Sequence, residues 1–433
     1  MSNLNLIPIG KLFDLEKGSL QSSKCTEGEY TFITAAEEWK THNEYSHECE
    51  ALIFAAAASG SLGRTHYIND KFITSDLCFI LTPKDNKKYP INLKFYHFVF
   101  NSLKDEIVKN TKSGTSKESI NQSNLRNYEI PYFEIDKQNL WIDKLVNTKS
   151  IKQDLEFELS SGQSLLKQLK QTILQEAIEG KLTAKYRAKN PDIGTAKELL
   201  EQIKTEKEKL VKEKKIKQGK KQIANEIEDL DIEIPDSWLL IDLDDITQYI
   251  TDGTHQTPRY VENGRMFLSA QNVKPFKFMP EIYRCVSEED YQKYIANRQT
   301  EKGDLLLGRV GAGIGETAVV DQDLEFAIYV SLGLVKTFKQ FTNPEYLATV
   351  FNSPYGVRYA KGNISSGGGS AGNFNLGRIR SFPIPFPPLE EQKEIVATIE
   401  KLFTICDELE SEINQNKTTV DNLMATVLKE AFI

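Results

Sequence analysis

The sequence predicts an α+β chain: two tandem mixed α/β domains, each followed by a long helix, the two helices forming an intramolecular coiled coil. Three observations carry this reading. They are an internal repeat covering most of the chain, short β-like runs inside each copy, and two heptad seams in the same register.

The repeat organises everything else. Shifted by 254 residues, the chain matches itself in one register from about residue 117 to 178. Leu125-Arg126 falls on Ile379-Arg380, and Tyr128, Ile130, Pro131 and Ile135 fall on Phe382, Ile384, Pro385 and Leu389. Leu169, Thr172, Ile173, Leu174, Glu176 and Ala177 fall on Leu423, Thr426, Val427, Leu428, Glu430 and Ala431. With small gaps the match continues upstream: Val99-Phe100-Asn101-Ser102 onto Val350-Phe351-Asn352-Ser353, and Leu62-Gly63-x-Thr65 onto Ile314-Gly315-x-Thr317. Near the start, Ile7, Ile9 and Leu12 correspond to Ile241, Leu243 and Ile246. The expected organisation is a first domain over 1–138, its long helix over 139–190, a charged helical linker over 191–232, a second domain over 233–388 and a closing helix over 389–433.

Each element follows from local pattern. The run Ala51-Leu-Ile-Phe54, the run from Phe72 to Leu81, Asp304-Leu-Leu-Leu307 and the stretch from Glu325 to Lys336 read as strands, punctuated by Gly60, Gly63, Gly311, Gly313 and Gly315. One helix per domain is expected near Leu93 and near Pro344, the second with Asn343 as N-cap and proline at the first helical position. In the last helix, Ile395, Ile399, Leu402, Cys406, Leu409, Ile413, Asn416, Val420, Leu423 and Val427 recur at alternating steps of four and three, broken by Asn416 and the small Cys406. Such a seam makes a rod of roughly 50 Å. The first copy repeats it with Trp141, Leu145, Leu155, Leu159, Leu166, Leu169 and Ile173, with Thr148, Lys152 and Gly162 as weak points. Lys204 to Lys221, dense in Lys and Glu, reads as a solvated helix or linker.

Composition narrows the function classes. With 54 Lys and Arg against 62 Asp and Glu, the net charge is -8, which argues against unaided gripping of a polyanion and for a partner supplying positive charge. The five cysteines are scattered and form no C-x-x-C pair, so neither a disulfide framework nor a zinc ribbon is indicated. The start lacks a basic segment followed by an apolar run, and no stretch is long and apolar enough for a membrane span, so a cytoplasmic location without membrane contact is expected.

Several segments carry a family resemblance. Thr251-Asp-Gly-Thr-His-Gln-Thr-Pro258, Gly308-Arg-Val-Gly-Ala-Gly-Ile-Gly-Glu-Thr317, Ser365-Ser-Gly-Gly-Gly369 and Phe382-Pro-Ile-Pro-Phe-Pro-Pro-Leu-Glu-Glu-Gln-Lys-Glu-Ile395 resemble those of type I restriction-modification DNA-specificity subunits. So do Leu174-Gln-Glu-Ala-Ile-Glu-Gly-Lys-Leu182 and the Lys/Glu-rich stretch leading to Ile234-Pro-Asp-Ser-Trp238. The first copy departs from this pattern: its helix start reads Phe133-Glu-Ile-Asp-Lys-Gln138, without paired prolines, and it has no Asp-Gly-Thr-His. The resemblance implies two target-recognition domains held apart by an antiparallel coiled coil with pseudo-two-fold symmetry. Each domain reads one part of a bipartite site in double-stranded DNA. It further implies two modification subunits carrying adenine methylation with S-adenosylmethionine, and two restriction subunits using ATP and Mg as motor-nucleases. The chain itself is then non-catalytic and binds no cofactor. A rod of roughly 50 Å suits two readers about one DNA turn, about 34 Å, apart.

A search for chemistry in the chain agrees with that division. There is no G-x-x-x-x-G-K-[ST] phosphate loop, and Gly311-Ala-Gly-Ile-Gly315 lacks the spacing of a dinucleotide loop. Asn343-Pro-Glu-Tyr346 approaches the Asn-Pro-Pro-Tyr motif of amino-methyltransferases, yet reads better as a helix start. His42, His47 and Cys49 have mixed spacing and no fourth ligand, so no metal is expected. Arg and Lys read guanine, Asn and Gln adenine, and Ser and Thr either, from loops on a rigid scaffold. On that chemistry the candidate DNA contacts of the second domain are Thr254, His255, Gln256, Thr257, Arg259, Gln271, Asn272, Lys274, Arg309, Ser365, Ser366, Asn373 and Asn375. In the first they are Gln21, Ser61, Arg64 and Lys112. Thr172 and Glu176, with their copies Thr426 and Glu430, are candidate partner contacts, the two glutamates being expected on the exposed face. The alternatives are a coiled-coil scaffold or inactive relative, and a self-contained DNA methyltransferase, which the missing cofactor motif disfavours.

Overall fold

The computed structural model describes residues 5–57, 60–113, 118–217, 220, 221, 223, 232–365 and 372–432. They form two compact units: Met1–Gly162 with Glu412–Ile433, and Gln163–Ser411.

In the first unit a six-stranded sheet runs in the order Phe13–Lys17, Cys78–Pro83, His47–Ala55, Thr65–Thr74, Tyr30–Ile33 and Lys40–His42. All neighbours are antiparallel except Tyr30–Ile33, which lies parallel to Thr65–Thr74. Ala51 to Ala55 is continuously apolar because both sheet faces are covered. Leu52 and Phe54 join a core with Phe95, Tyr96, Val99 and Phe100 of the helix Leu93–Ser102, while Ala51, Ile53 and Ala55 join one with Ile33, Ile68 and Phe72. The run from Phe72 to Leu81 is two strands: Ser75 accepts from the amides of Leu77 and Cys78 and turns the chain between them.

In the second unit the strands Thr247–Asp252, Leu332–Thr337, Leu305–Gly308 and Thr317–Val319 form an antiparallel sheet. A second sheet holds Tyr260–Val261, Arg284–Val286, Arg265–Leu268 and Phe326–Ile328. The apolar stretch from Glu325 to Lys336 thus supplies a strand to each sheet, with Val330 and Ser331 in the turn between. The helix Pro344–Asn352 starts as expected, Asn343 accepting from the Tyr346 amide, and a second helix, Pro354–Gly362, follows it directly.

The repeat is a repeat of contacts. Ile7 pairs with Ile130 in one antiparallel clasp and Ile241 with Ile384 in the other. Tyr96 donates its hydroxyl to Pro131 O at 3.2 Å, and Tyr346 to Pro385 O at 2.7 Å. Asn101 accepts from Thr65 N and donates to Thr65 O; Asn352 does the same with Thr317. Gln138 donates to Phe133 O and accepts from Asn92 N; Gln392 donates to Pro387 O and accepts from Asn343 N. The paired prolines of the second helix start are therefore dispensable, and the glutamine is the common part.

Each long helix, Ile135–Ile178 and Leu389–Phe432, has 44 residues and contributes to both units. That is about 66 Å, longer than the seam alone implied. The first helix stops where Gly180 takes φ +68, with Lys181 N bonded to Glu176 O and Gly180 N to Ala177 O, the glycine C-cap arrangement. The first long helix therefore starts four residues before the expected 139 and ends at Ile178, and the rest of 139–190 holds a turn and the short helix Ala184–Lys189. Within the first unit, Trp141 and Leu145 share a core with Met424 and Val427, and Gly162 faces Ile413, so the helices run antiparallel. Within the second, Leu166, Ile173, Ile395, Ile399 and Cys406 are buried, and Lys170 bridges Asp407 and Glu410 at 2.8 and 2.9 Å. Leu155, Leu169 and Leu409 remain exposed, although the heptad spacing placed them on the seam.

The charged linker is partly a fixed element. Thr195 and Glu198 make a capping box that starts the helix Ala196–Lys212, which buries Ala196, Leu199 and Ile203. Lys207 reaches the second domain, donating to Asp244 O and lying 3.5 Å from its carboxylate. Burial lowers its pKa, with Asp244 opposing. Among the described residues no helix is long and apolar enough to cross a membrane.

Candidate nucleic-acid interface

The loops at one end of the second domain are organised by a single buried guanidinium. The strand Thr247–Asp252 delivers Asp252 to a buried position, and Gly253 follows because a Cβ there would meet Ile328 O at 2.1 Å. Arg309, 3% exposed, leaves the strand Leu305–Gly308 and pairs with the Asp252 carboxylate. It also donates from Nη1 to Val330 O at 3.1 Å, from Nε to Phe374 O at 3.0 Å and from Nη2 to Asn373 Oδ1 at 3.4 Å. One side chain thus ties together three loops: 252–258, 329–331 and the segment at Asn373. Burial pulls its pKa down, and Asp252 opposes that shift.

Around this anchor the candidate residues divide into framework and free groups. Thr254 is framework: it is buried, its backbone bonds to Ile328 O and Val330 N, and its hydroxyl accepts from Gln256 N. Asn272 is framework as well, its amide filled by Ser269 N, Met279 O and Ile282 O. Asn375 caps the helix Leu376–Arg380 and donates to Ser365 Oγ at 3.2 Å. His255 projects outward with a 68% exposed side chain and Nε2 3.0 Å from Asp252. Gln256, Thr257, Arg259, Gln271 and Asn373 are exposed, and Lys274 lies 3.3 Å from Glu316 of the glycine-rich loop. Ser366 lies outside the described residues.

Arg309 and Thr254, expected to touch bases, instead use their polar groups on the protein, because a buried guanidinium needs a carboxylate and carbonyls around it. Beside them a cleft of 320 Å³, which the sequence did not suggest, is walled by Tyr260, Phe267 and Tyr329, with Gln271 on its lining and Arg284 over the Tyr260 ring at 4.5 Å. Aromatic faces with amide and guanidinium donors suit contact with bases.

The first copy lacks this anchor. Ile120 N bonds to Ala56 O as Phe374 N bonds to Arg309 O, so Ala56 stands where the second copy has Arg309. Its candidates are dispersed: Gln21 is exposed, Arg64 donates to Ala35 O and Ser61 Oγ, and Lys112 pairs with Glu118 at 2.6 Å. His42 accepts from Thr26 N while His47 lies 3.3 Å from Glu16, and among the described residues no cluster could hold a metal ion.

A family model described as the type I restriction modification DNA specificity domain matches residues 1–160 and 235–416, one segment for each copy of the repeat. The chain belongs to that family. It is 27% identical over 294 residues to the specificity subunit of type I restriction enzyme EcoAI of Escherichia coli, covering 60% of this chain and 44% of that one. It is 20% identical over 443 residues to the EcoDI specificity subunit of the same species, covering 98% and 87%. The match to the EcoAI subunit thus spans under half of that protein's length. Among solved structures, the HsdS subunit from Thermoanaerobacter tengcongensis has a TM-score of 0.57 at 14% identity, covering 100% of this chain and 97% of that one. A chain from a study of complex assembly and conformational transition of the type I restriction-modification system has a TM-score of 0.67 at 13% identity, covering 100% and 98%. These likenesses bear out the fold of a specificity subunit: two mixed domains and an antiparallel helix pair.

On the specificity-subunit helices, Thr172, Thr426 and Glu430 are exposed and Glu176 is half-buried rather than open. Ile173, Leu174 and Ala177 are buried, and Val427 packs against the core of the first unit, so packing accounts for much of the repeated segment. Leu140, Ile151 and Phe157 are 60%, 54% and 72% exposed on the first helix, apolar side chains the heptad reading passed over.

Proposed function

We propose that this chain is the non-catalytic subunit that reads a bipartite duplex DNA target for a type I restriction-modification complex. The observation that carries this reading is the doubled domain with doubled clamps, one copy bearing a loop cluster tied by Arg309 and Asp252. Exposed His255, Gln256, Thr257, Arg259 and Gln271 face outward for base edges, and the framework residues hold their loops. The first domain, with Ala56 in place of the arginine, reads its part of the site with a different loop set. Two modification subunits dock on the long helices, where Leu140, Ile151 and Phe157 offer apolar surface, and two restriction subunits complete the complex in the cytoplasm. S-adenosylmethionine, ATP and Mg belong to those partners.

Methylation mapping by long-read sequencing tests this, in a host expressing the chain with its neighbouring modification subunit. The expected result is a new methylated-adenine motif of two short specified parts around an unspecified gap. A stable complex that writes no motif would instead favour an inactive or purely structural relative.

A further inference from the structure

A second feature of the second unit is a basic cleft of 630 Å³ between the end of the helix Ala196–Lys212 and the segment after the helix Glu288–Ile295. Its lining includes Lys214, Lys215, Lys217, Arg298 and Arg380 and no carboxylate, in a chain of net charge -8. Lys215 pairs with Glu213, and Arg380 is occupied by Ile250 O, Lys220 O and the Asp244 carboxylate at 3.8 Å. Among the described residues no carboxylate lies within ion-pair distance of Lys214, Lys217 or Arg298. Buried Ile216 pins the lysine segment in place, so these charges are held at the cleft rather than carried on a free linker.

The backbone supplies an independent indication. The helix ends with Lys214 N on Val211 O and Lys215 N on Leu210 O, a turn whose left-handed residue is usually glycine. Here that residue is Lys214, at φ 58. A lysine kept where glycine fits better points to a use for its charge. The cleft is also joined to the reading loops: Tyr249, Ile250 and Thr251 line it, and the same strand ends at Asp252.

We propose that this cleft receives the sugar-phosphate backbone of duplex DNA, with Lys214, Lys217 and Arg298 as phosphate contacts that set the second domain's register. The assignment rests on the DNA-reading function proposed above. It gives phosphate-contact work to the stretch that composition alone marked as solvated linker, and lessens the positive charge a partner must supply.

The test is duplex binding by the assembled complex across a salt series, on target-bearing and scrambled duplexes, with Lys214→Gln/Lys217→Gln/Arg298→Gln beside wild type. Each lost phosphate contact removes about 0.9 from the slope of log K against log salt. The expected result is therefore equal weakening on both duplexes, an unchanged methylation motif, and a gap from wild type that narrows roughly 40-fold between 50 and 200 mM salt. Lys214→Gly, which suits the left-handed backbone, should lose affinity while keeping thermal stability. An unchanged slope, or weakening confined to the target duplex, overturns the assignment. So does inorganic phosphate binding that the triple variant abolishes without affecting duplex affinity, which would make this a small-anion site. If wild type binds no duplex, the DNA-reading function itself falls.

Discussion

Arg309 and Asp252 form a buried ion pair between two loops of the second domain, their side chains 4% and 9% exposed. Removing one member of such a pair leaves the other charged and enclosed, a loss of about 3–5 kcal/mol. Arg309→Ala should therefore lower the urea-unfolding free energy of the second unit by an amount of that order, and Arg309→Lys by less, since charge survives without the fork. In the assembled complex, Arg309→Ala should weaken binding to one half-site only. Unchanged affinity for both half-sites would mean that the anchored loops do not read DNA.

Asn101 and Asn352 each close two hydrogen bonds with one threonine backbone, at Thr65 and Thr317. Replacing either by alanine strands an enclosed N–H and C=O, with a cost of about 2–4 kcal/mol. Asn352 and Thr317 are both buried, so Asn352→Ala should be the more damaging of the two. Chemical denaturation of both variants checks the order, and near-equal losses below about 0.5 kcal/mol would show that water replaces the amide.

These clamps show why the fold was legible. Val99-Phe-Asn-Ser102 and Val350-Phe-Asn-Ser353 repeat because backbone geometry requires the asparagine, so repeated letters reported repeated contacts. The reading loops were located but not sorted. Whether Arg309 faces bases or a carboxylate depends on Asp252, 57 residues away, and nothing in local spacing encodes that pairing. The break within Phe72 to Leu81 was missed for a simpler reason: Ser75-Asp76 is a turn signal short enough to hide in an apolar run. The cleft at Lys214 was hidden in a segment whose Lys and Glu content looks solvated, because its lining comes from four separated parts of the chain.

Glu391 explains the second helix start. Wholly buried, it accepts from Trp238 Nε1 at 2.9 Å, Thr183 Oγ1 at 2.7 Å and Arg187 Nη1 at 2.5 Å, joining the turn after the first long helix to the second domain. The first copy has Lys137 at the equivalent position, exposed over the Phe133 ring. Glu391→Ala should free the segment around residues 179–190 and make it the first site of limited proteolysis, at a cost of about 3–5 kcal/mol. Lys137→Ala should leave the cleavage pattern unchanged. Equal resistance of the Glu391 variant and wild type would show that packing alone holds the turn.

His97 makes the stability of the first unit depend on pH. Burial pushes its pKa down to about 4, helped by Lys149 and His66, while a hydrogen bond with the Thr65 backbone opposes the shift. Unfolded, the imidazole titrates near 6.5. The folded state therefore holds fewer protons between these values, and stability falls as pH drops from about 6.5 toward 4. Between pH 7 and 5, where few carboxylates titrate, His97 alone contributes a loss of about 2 kcal/mol. His66, also lowered by burial, adds in the same direction. His97→Gln should remove the larger share of this slope while leaving the neutral-pH midpoint nearly unchanged. Urea titrations at pH 7, 6 and 5 check it: parallel curves for wild type and variant would mean that His97 opens to solvent before it protonates.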